Sequence, residues 1–349
     1  MKNLVLVFIL GFLGSFALTP LVIRFSHRKG WLDNPQGVRK IHSHPVSRLG
    51  GLAVYLSFVL VLLVANLWLG LKLPVFFFLG ISVVFLTGLV DDFISLPPSL
   101  KVLGQVMGIV LLMISGVVIN FFTLPWGTIL YLGAWGYPLT FLWMLGITNA
   151  LNLIDGMDGL SSGIATIASF TLGVVALQEG RSLAAFVAFL LMGAELGFLC
   201  YNFPPARIFL GDGGALFAGI VLSTISVQGS LKSTATFTLL VPILVLGVPI
   251  FDTFFAIVRR GKNRLPLMSP DEGHLHHRLL KRGYSTRKAV LVFYSISLVF
   301  SMVAIFINRY LQNSTYSLLL VLVVVFLFLR WGLQLGVTEV GGEKSVGQS

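Results

Sequence analysis

Long apolar runs separated by short polar connections dominate the hydropathy pattern of this chain. A helix needs about 20 apolar residues, at a rise of about 1.5 Å per residue, to cross a hydrocarbon core of roughly 30 Å. Eleven runs approach that length. The pattern predicts membrane-spanning helices over residues 3–23, 49–70, 74–90, 100–120, 139–153, 160–178, 182–201, 213–230, 236–258, 289–308 and 316–333.

These runs predict an all-α polytopic membrane protein, built as a bundle of about eleven transmembrane helices. The chain has no linker, low-complexity tract or clear internal repeat. We therefore expect one integral membrane domain over residues 1–335 and a short cytoplasmic tail over 336–349. The first run has a weakly basic start and no A-x-A-like cleavage site, which favours a retained helix over a cleaved signal.

The composition agrees with this class. The 349 residues are 56% hydrophobic and only 11% charged, whereas a soluble domain carries roughly 25% charged residues. Such a chain cannot cover itself with a water-facing surface. Its single cysteine, Cys200, rules out an internal disulfide and a cysteine-rich metal cluster.

The positions of lysine and arginine predict the orientation. If the predicted spans alternate, nineteen of the 24 lysines and arginines fall on one side of the membrane. Cytoplasmic connections carry such an excess, so we expect the N-terminus outside and the C-terminus inside. This rule accounts for most of the net charge of +11.

The acidic residues follow the same asymmetry. On the predicted outer side the connections hold one acid, Glu179, and all six histidines lie on the cytoplasmic side. Ionisable groups at membrane depth are costly and by default mark a functional site. The sequence therefore predicts chemistry at the cytoplasmic face, where the acids include Asp91, Asp92, Asp155, Asp158, Asp212, Asp252, Asp271 and Glu272.

Two of the acidic motifs are "TGLVDDFISLPPSLK" and "NALNLIDGMDG". In the first, the carboxylates Asp91 and Asp92 are adjacent, so we expect a cation between them or a proton on one of them, unless they are simply solvated loop acids. In the second, the spacing places Asn149, Asn152 and Asp155 along one slanting stripe of a helix end. Helix-end caps explain one such residue but not four in a row, with Asp158 the fourth.

The third motif, "FPPARIFLGDGGALF", puts Asp212 at the start of a span, either as an N-cap or beside a phosphate cradle of glycine-bared amides. The fourth, "GHLHHRLL", contains three histidines and an arginine. Without cysteine its spacing suits zinc poorly, and a positive-inside anchor is the plain alternative. Imidazole and guanidinium groups that donate to phosphate or sugar oxygens are the favoured interpretation.

Carboxylate and amide oxygens suit Mg²⁺ that is also bound by substrate phosphates. Together with the basic loop and the lipid-facing location, they indicate phosphoryl transfer between a pyrophosphate substrate and a lipid. A membrane transporter is the alternative from another class, because intramembrane acids also mark ion pathways. A transporter would have polar groups near the bilayer midplane, where this chain has only Glu195.

Four motifs resemble those of the polyprenyl-phosphate N-acetylhexosamine-1-phosphate transferases, namely "LVDDFISLPPSLKVLGQ", "NALNLIDGMDGLSSGIA", "RIFLGDGGALFAG" and "HLHHRLL". The likeness spans nearly the whole chain and is closest to the bacterial WecA/TagO branch. It implies a bundle of ten or eleven helices in the bacterial inner membrane. It also implies transfer of GlcNAc-1-phosphate from UDP-GlcNAc to undecaprenyl phosphate, with release of UMP, as the first lipid-linked step of a surface glycan such as teichoic acid or O-antigen.

The resemblance also implies residue roles and partners. Mg²⁺, or Mn²⁺ in its place, is the expected cofactor. UDP-GlcNAc, undecaprenyl phosphate and the bilayer are the expected partners. A homodimer is an open possibility, and no nucleic acid is expected to bind. The implied roles are catalytic for Asp91, Asp92 and Lys101, metal-binding for Asp212 and Asn152, and nucleotide- or substrate-binding for Asn149, Asp155, Asp158, Phe209, His274, His276, His277 and Arg278.

Two alternatives stay open within the family. The phospho-MurNAc-pentapeptide translocases (MraY) typically carry an uninterrupted run of three histidines, whereas here Leu275 interrupts the run. The N-acetylhexosamine branch has the interrupted form, which favours that branch. A paralogue that uses another UDP-N-acetylhexosamine is the second alternative.

Overall fold

The structure is a computed structural model that describes residues 2–33, 45–123, 128–229, 240–264, 273–311 and 315–336. Within these residues the chain forms thirteen α-helices and one two-stranded hairpin. The helices are α1 (Lys2–Lys29), α2 (Gly50–Trp68), α3 (Val75–Ile94), α4 (Pro98–Ile114), α5 (Gly136–Ile154), α6 (Leu160–Gln178), α7 (Ser182–Asn202), α8 (Gly211–Gly229), α9 (Leu240–Val245), α10 (Gly247–Lys262), α11 (Leu275–Lys281), α12 (Thr286–Tyr310) and α13 (Thr315–Gln334).

Each of the eleven predicted runs overlaps a helix, and the ninth run is divided into α9 and α10 at Leu246. Proline has no N–H to donate to a helix, and Pro249 follows shortly after this break, in the first turn of α10. Helix α11 is an addition, because it lies in the basic loop where no span was predicted. The predicted tail over 336–349 falls, apart from Gly336, outside the described residues.

Eight of the described helices are long and apolar enough to cross a membrane. They are α1, α2, α3, α5, α6, α7, α12 and α13, while α4 is apolar but shorter. The protein is therefore a multi-pass membrane protein. The figure of eleven crossings and the outside position of the N-terminus stay predictions.

The connection between α4 and α5 contains a departure from the all-α prediction. Strand β1 (Phe121–Thr123) pairs antiparallel with strand β2 (Ile129–Tyr131). Both strands contain aromatic and β-branched residues, which favour strands. The hairpin belongs to the connection and leaves the helical bundle unchanged.

Helix α8 lies at the centre of the bundle, where it packs against α3, α5, α6, α2 and α7. Every residue of α8 is buried except Asp212 and Gln228. Small residues allow this close packing: a side chain on Gly219, for example, would approach the Thr148 Cα to 2.7 Å. The central helix thus presents one carboxylate, Asp212, at its N-terminal end.

The ends of four other helices meet at that point. Helices α3, α5 and α7 end at residues 94, 154 and 202, while α4 begins at Pro98. The polar motifs of the sequence lie at these ends. The fold therefore gathers side chains that are far apart in the chain, such as Lys101 and Asp212, which are 111 residues apart.

Candidate active site

A single ammonium group joins three helices at the N-terminus of α8. The Lys101 Nζ donates to Asp91 Oδ2 at 2.9 Å, to Asp212 Oδ2 at 2.8 Å and to Asn152 Oδ1 at 3.1 Å. The Asn152 Nδ2 donates to the other Asp212 oxygen at 2.7 Å. Four predicted site residues therefore form one network, in which a single ammonium lies between two carboxylates.

Asp92 has a different task from its neighbour. Its two oxygens accept hydrogen bonds from the backbone N–H groups of Asp212 and Gly213, at 2.8 and 2.9 Å. Asp92 thus caps α8 from another helix. An ordinary N-cap residue makes the same contact from the position directly before its own helix. We expected the backbone amides at this helix start to form a phosphate cradle, but the N–H groups of Asp212 and Gly213 already donate to Asp92. Asp212 is not the cap, since its carboxylate bonds Lys101 and Asn152.

Asn149 is joined to Gln105, a residue that the sequence analysis did not select. The two side-chain amides exchange hydrogen bonds of 2.7 and 3.3 Å. Gln105 lies four residues after Lys101 and therefore on the same face of α4. The pair links α4 to α5 directly behind the Lys101 network, and Asn149 does not line the cavity described next.

A cavity of about 680 Å³ opens beside Asp212. Six predicted site residues line it. The rest of the wall comes from the residues after α1, before α2 and after α5, from the turn after α7 and from the start of α12. The predicted residues in its wall are Asp92, Asp155, Asp158, Phe209, Asp212 and His277. Lining residues that sequence reasoning missed are Asp33, Arg48, Asn202, Ser285, Thr286 and Arg287.

The turn between α7 and α8 is held from two sides. The Asp158 Oδ2 accepts a hydrogen bond from the Ala206 N–H at 2.9 Å. The Phe209 N–H donates to the Ser47 carbonyl at 2.8 Å, and the Gly50 N–H donates to the Phe209 carbonyl at 3.0 Å. Both backbone groups of Phe209 are therefore fixed, with the residue in the cavity wall, where a ring can stack on a planar base.

Asp155 follows the last residue of α5 and lines the same cavity. Burial raises the pKa of Asp155 well above its ordinary value, and the negative charges of Asp212 and Asp92 raise it further. The cavity thus holds carboxylates that repel one another and are stabilised when a cation is present.

The three histidines occupy different surroundings. The buried His274 shares a hydrogen bond of 2.7 Å between its Nδ1 and Asp252 Oδ2, and the Leu275 N–H donates to the other oxygen at 2.8 Å. The Asp252 carboxylate thereby holds the start of α11. His274 does not line the cavity, so its predicted substrate contact has no support in this geometry.

His276 is 2% exposed and lies against Gly156, where an added Cβ would be 2.5 Å from its Nε2. Burial lowers the pKa of His276 to about 3, so the imidazole is neutral at physiological pH. Its ring centroid is 4.3 Å from that of His277, which lines the cavity. Gly156 lies in the turn after α5 and makes room for this ring, while the left-handed backbone of the turn is at Gly159 (φ 72°).

Arg278 points away from the predicted substrate position. Its Nε donates to the Gly273 carbonyl at 3.1 Å, and its Nη1 donates to the Leu335 carbonyl at 3.4 Å. Arg278 does not line the cavity, whereas Arg287 does. Sequence order could not separate these two arginines, because both lie in the same basic segment.

Oxygen donors for a divalent cation are present around Asp212. Within the described residues, no three His, Cys, Asp or Glu side chains form a ready-made metal site. Mg²⁺ needs no such cluster, because it is held by one or two carboxylates together with substrate phosphates and water. Asp212 fits this requirement, since its partly exposed carboxylate lines the cavity. The other predicted metal ligand, Asn152, accepts from Lys101 through its Oδ1 and does not line the cavity.

The chain is similar in sequence to known transferases of one family. The glycosyl transferase family 4 model matches residues 74–230. A probable undecaprenyl-phosphate N-acetylglucosaminyl 1-phosphate transferase of Bacillus subtilis is 40% identical over 306 residues, which cover 87% of this chain and 85% of that protein.

Two further relatives carry names that state different activities from each other. An undecaprenyl-phosphate alpha-N-acetylglucosaminyl 1-phosphate transferase of Thermotoga maritima is 32% identical and covers 83% of this chain and 87% of its own length. A phospho-N-acetylmuramoyl-pentapeptide-transferase of a Geobacillus species is 31% identical and covers 87% and 98%. The motif resemblance is thereby confirmed, and the chain belongs to the polyprenyl-phosphate N-acetylhexosamine-1-phosphate transferases of glycosyl transferase family 4.

Proposed function

We propose that this protein transfers N-acetylglucosamine 1-phosphate from UDP-N-acetylglucosamine to undecaprenyl phosphate. The products are undecaprenyl-pyrophosphoryl-N-acetylglucosamine and UMP. The observation that carries the proposal is the Lys101 network beside the carboxylate-lined cavity. The names of the Bacillus subtilis and Thermotoga maritima relatives support this choice of sugar and lipid.

The reaction forms one P–O bond and breaks another. A phosphate oxygen of the lipid attacks the sugar-bearing β-phosphorus, and the bond from that phosphorus to the bridging oxygen breaks, so UMP leaves. Asp91 is the proposed base that keeps the lipid phosphate deprotonated or in position. Lys101 lies 2.9 Å from Asp91 and stabilises the phosphate charge.

The nucleotide is assigned to the cavity beside this network. Asp158 accepts from the uracil N–H, Phe209 stacks on the uracil ring, and Asp155 lines the same site. His277 approaches the sugar and diphosphate, and the neutral His276 packs behind it. Asp92 acts indirectly, because it fixes the N-terminus of α8 and with it Asp212.

Mg²⁺ is the proposed cofactor, with Mn²⁺ able to replace it, and Asp212 is its proposed protein ligand. The bound ion would neutralise charge on the diphosphate as UMP leaves. The same proposal places the enzyme in the bacterial inner membrane, with this site at the cytoplasmic face where UDP-sugars are found. The glycan that receives the sugar would be teichoic acid, O-antigen or a similar polymer.

The test is release of UMP by the purified protein in detergent. UMP should appear only when UDP-GlcNAc, undecaprenyl phosphate and a divalent cation are all present. Excess EDTA should stop the reaction and added Mg²⁺ should restore it, while Asp212→Asn should remain largely inactive. Full turnover in excess EDTA would contradict the metal assignment, and an absence of UMP would favour the transporter alternative.

The Geobacillus relative makes a second donor worth testing. A panel of UDP-N-acetylhexosamines and UDP-MurNAc-pentapeptide should show UDP-GlcNAc as the preferred substrate by kcat/KM. Preference for the pentapeptide donor would move this chain to the translocase branch. Preference for another UDP-N-acetylhexosamine would keep the reaction and change the sugar.

A further inference from the structure

The cavity wall is rich in negative charge. Five carboxylates line it, whereas the arginines in the wall are Arg48 and Arg287. A nucleotide diphosphate is itself an anion and binds where cations and N–H donors outweigh this repulsion. The arginine whose positive charge is not already balanced by a carboxylate is therefore the one that can bind the diphosphate. The five carboxylates are Asp33, Asp92, Asp155, Asp158 and Asp212.

Arg48 is already balanced by a carboxylate. Its Nε and Nη2 both donate to Asp33 Oδ2, at 3.0 and 2.6 Å. The pair therefore adds little net charge to the cavity. It joins the segment before α2 to the chain that follows α1.

Arg287 is held in another way. Its Nε donates to the Pro204 carbonyl at 2.8 Å, and a carbonyl leaves the positive charge of the guanidinium uncompensated. Within the described part of the chain Arg287 makes no ion pair. A guanidinium has five N–H donors, so the contact to Pro204 leaves the two terminal nitrogens for a ligand.

The position of Arg287 in its helix adds to this charge. It lies in the first turn of α12, whose N-cap is Ser285, and both Ser285 and Thr286 line the cavity. The N-terminus of a helix carries partial positive charge and attracts anions. The guanidinium and the helix end thus act on the same region of the cavity.

We infer that Arg287, supported by the first turn of α12, binds a phosphate group of the nucleotide-sugar donor. The inference rests on the proposed function. Phosphate is also the reactive group of the lipid acceptor, but the side chains assigned to the acceptor, Asp91 and Lys101, do not line this cavity. Arg287 instead contacts the turn that Asp158 holds through Ala206, on the side assigned to the nucleotide.

The test compares UMP with uridine as probes of the purified full-length protein, by calorimetry in detergent. Arg287→Ala should weaken UMP binding about tenfold or more, because a hydrogen bond to a charged group contributes about 1.5–3 kcal/mol and tenfold corresponds to about 1.4 kcal/mol. Uridine, which lacks the phosphate, should bind as it does to the unmodified protein. Arg287→Lys should be intermediate, since an ammonium is a point charge without the planar fork.

The matched control is Lys288→Ala, which removes an exposed cation one residue further on that does not line the cavity. Lys288→Ala should bind UMP normally. In turnover assays Arg287→Ala should raise the KM for UDP-GlcNAc and leave the KM for undecaprenyl phosphate unchanged. Arg287→Gln, which can still donate to Pro204, serves as a second variant if Arg287→Ala folds poorly.

Three results would overturn the inference. They are equal losses of UMP and uridine affinity, a change only in the KM of the lipid acceptor, and unchanged UMP binding by both the alanine and the glutamine variants. The binding experiment needs no catalysis. If the unmodified protein releases no UMP from UDP-GlcNAc, the proposed function fails while the phosphate site is still tested.

Discussion

At the scale of single residues, Lys101 is the side chain that connects three of the polar motifs. Its ammonium group contacts Asp91, Asp212 and Asn152, which come from α3, α8 and α5. Two carboxylates near one another at the end of a membrane bundle repel unless a cation lies between them. Lys101 supplies that cation in the protein alone, and the phosphates and the metal ion of the proposed reaction would share this environment.

Asp91 provides the first prediction at this scale. Asp91→Asn should lower kcat by about 10²–10⁴-fold, which is the typical contribution of a general base. UMP affinity should be unchanged, because the proposed partner of Asp91 is the lipid phosphate. Stopped assays of UMP release and calorimetry with UMP measure the two quantities. Near-normal turnover, or a loss confined to UMP affinity, would show that Asp91 is not the base.

At the scale of elements, the short helix α11 positions the histidine side chains. Asp252 of α10 accepts from His274 and from the Leu275 N–H at the start of this helix. His276 then packs against Gly156 at the end of α5, and His277 lines the cavity. One loop is thus joined to two bundle helices, and each histidine has its own surroundings.

Gly156 allows a direct test of this packing. In Gly156→Ala the new Cβ would be 2.5 Å from His276 Nε2 and 2.9 Å from its Cε1, so the ring must shift. We expect turnover to fall about tenfold or more, with the protein still inserted and monodisperse. The measurement is UMP release at equal amounts of purified protein.

The control for Gly156→Ala is Gly146→Ala in the same region of the chain. Gly146 lies inside α5 and a Cβ there meets nothing within 4 Å. This change should leave activity intact and stabilise the helix by roughly 0.5–1 kcal/mol. Equal activity of the two variants would contradict a role for the contact between Gly156 and His276.

The buried His276 also predicts how stability depends on pH. Its pKa is about 3 in the folded protein, whereas an unperturbed histidine has a pKa near 6.5. Below about pH 6.5 the unfolded chain therefore binds a proton that the folded protein does not, so the free energy of unfolding falls as the pH falls. This imidazole should therefore lower the melting temperature as the pH falls from 7.5 to 5, while the raised pKa of Asp155 acts in the opposite direction. His276→Gln should remove the contribution of the imidazole, so over this range its melting temperature should fall less, or rise more, than that of the unmodified protein.

The comparison for His276→Gln is His27→Gln, which changes an exposed histidine in the last turn of α1. Differential scanning fluorimetry at several pH values measures all three proteins. The His27→Gln protein should follow the unmodified protein. An unchanged pH dependence in His276→Gln would mean that the imidazole is not responsible.

At the scale of the whole molecule, the polar chemistry lies at one end of an apolar bundle. The Lys101 network, the cavity and the histidine helix meet at the N-terminus of α8, and the β-hairpin lies in the connection from α4 to α5. The excess of lysine and arginine in the connections at the site end predicts that this end faces the cytoplasm. A lipid-borne phosphate and a water-borne nucleotide could then meet at the membrane surface.

Labelling of single cysteines tests this orientation. Cys200 is the one cysteine of the chain, so Cys200→Ser gives a background without thiols. Arg181→Cys, before α7, should react with a membrane-impermeant maleimide in intact cells, whereas Lys281→Cys, at the end of α11, should react only after permeabilisation. Both positions are exposed in the structure. The reverse labelling pattern would invert the predicted topology.

The sequence by itself determined the class of the protein, the positions of its long helices and the family. These features are local, since an apolar run or a motif such as "NALNLIDGMDG" is read from neighbouring residues. It also predicted that Asp91, Asn152 and Asp212 belong to one site, because their motifs occur together in a known family. The break between α9 and α10, the hairpin and the helix α11 were not anticipated.

Only the tertiary structure decided which side chains contact one another. The cap that Asp92 provides for α8 joins residues 120 and 121 positions apart, and Lys101 contacts Asp212 across 111 positions. It also separated Arg278, which bonds backbone carbonyls, from Arg287 in the cavity wall. The physical reason is that composition and helical periodicity fix the face of each helix, whereas such pairings depend on how the helices pack, which no local pattern encodes.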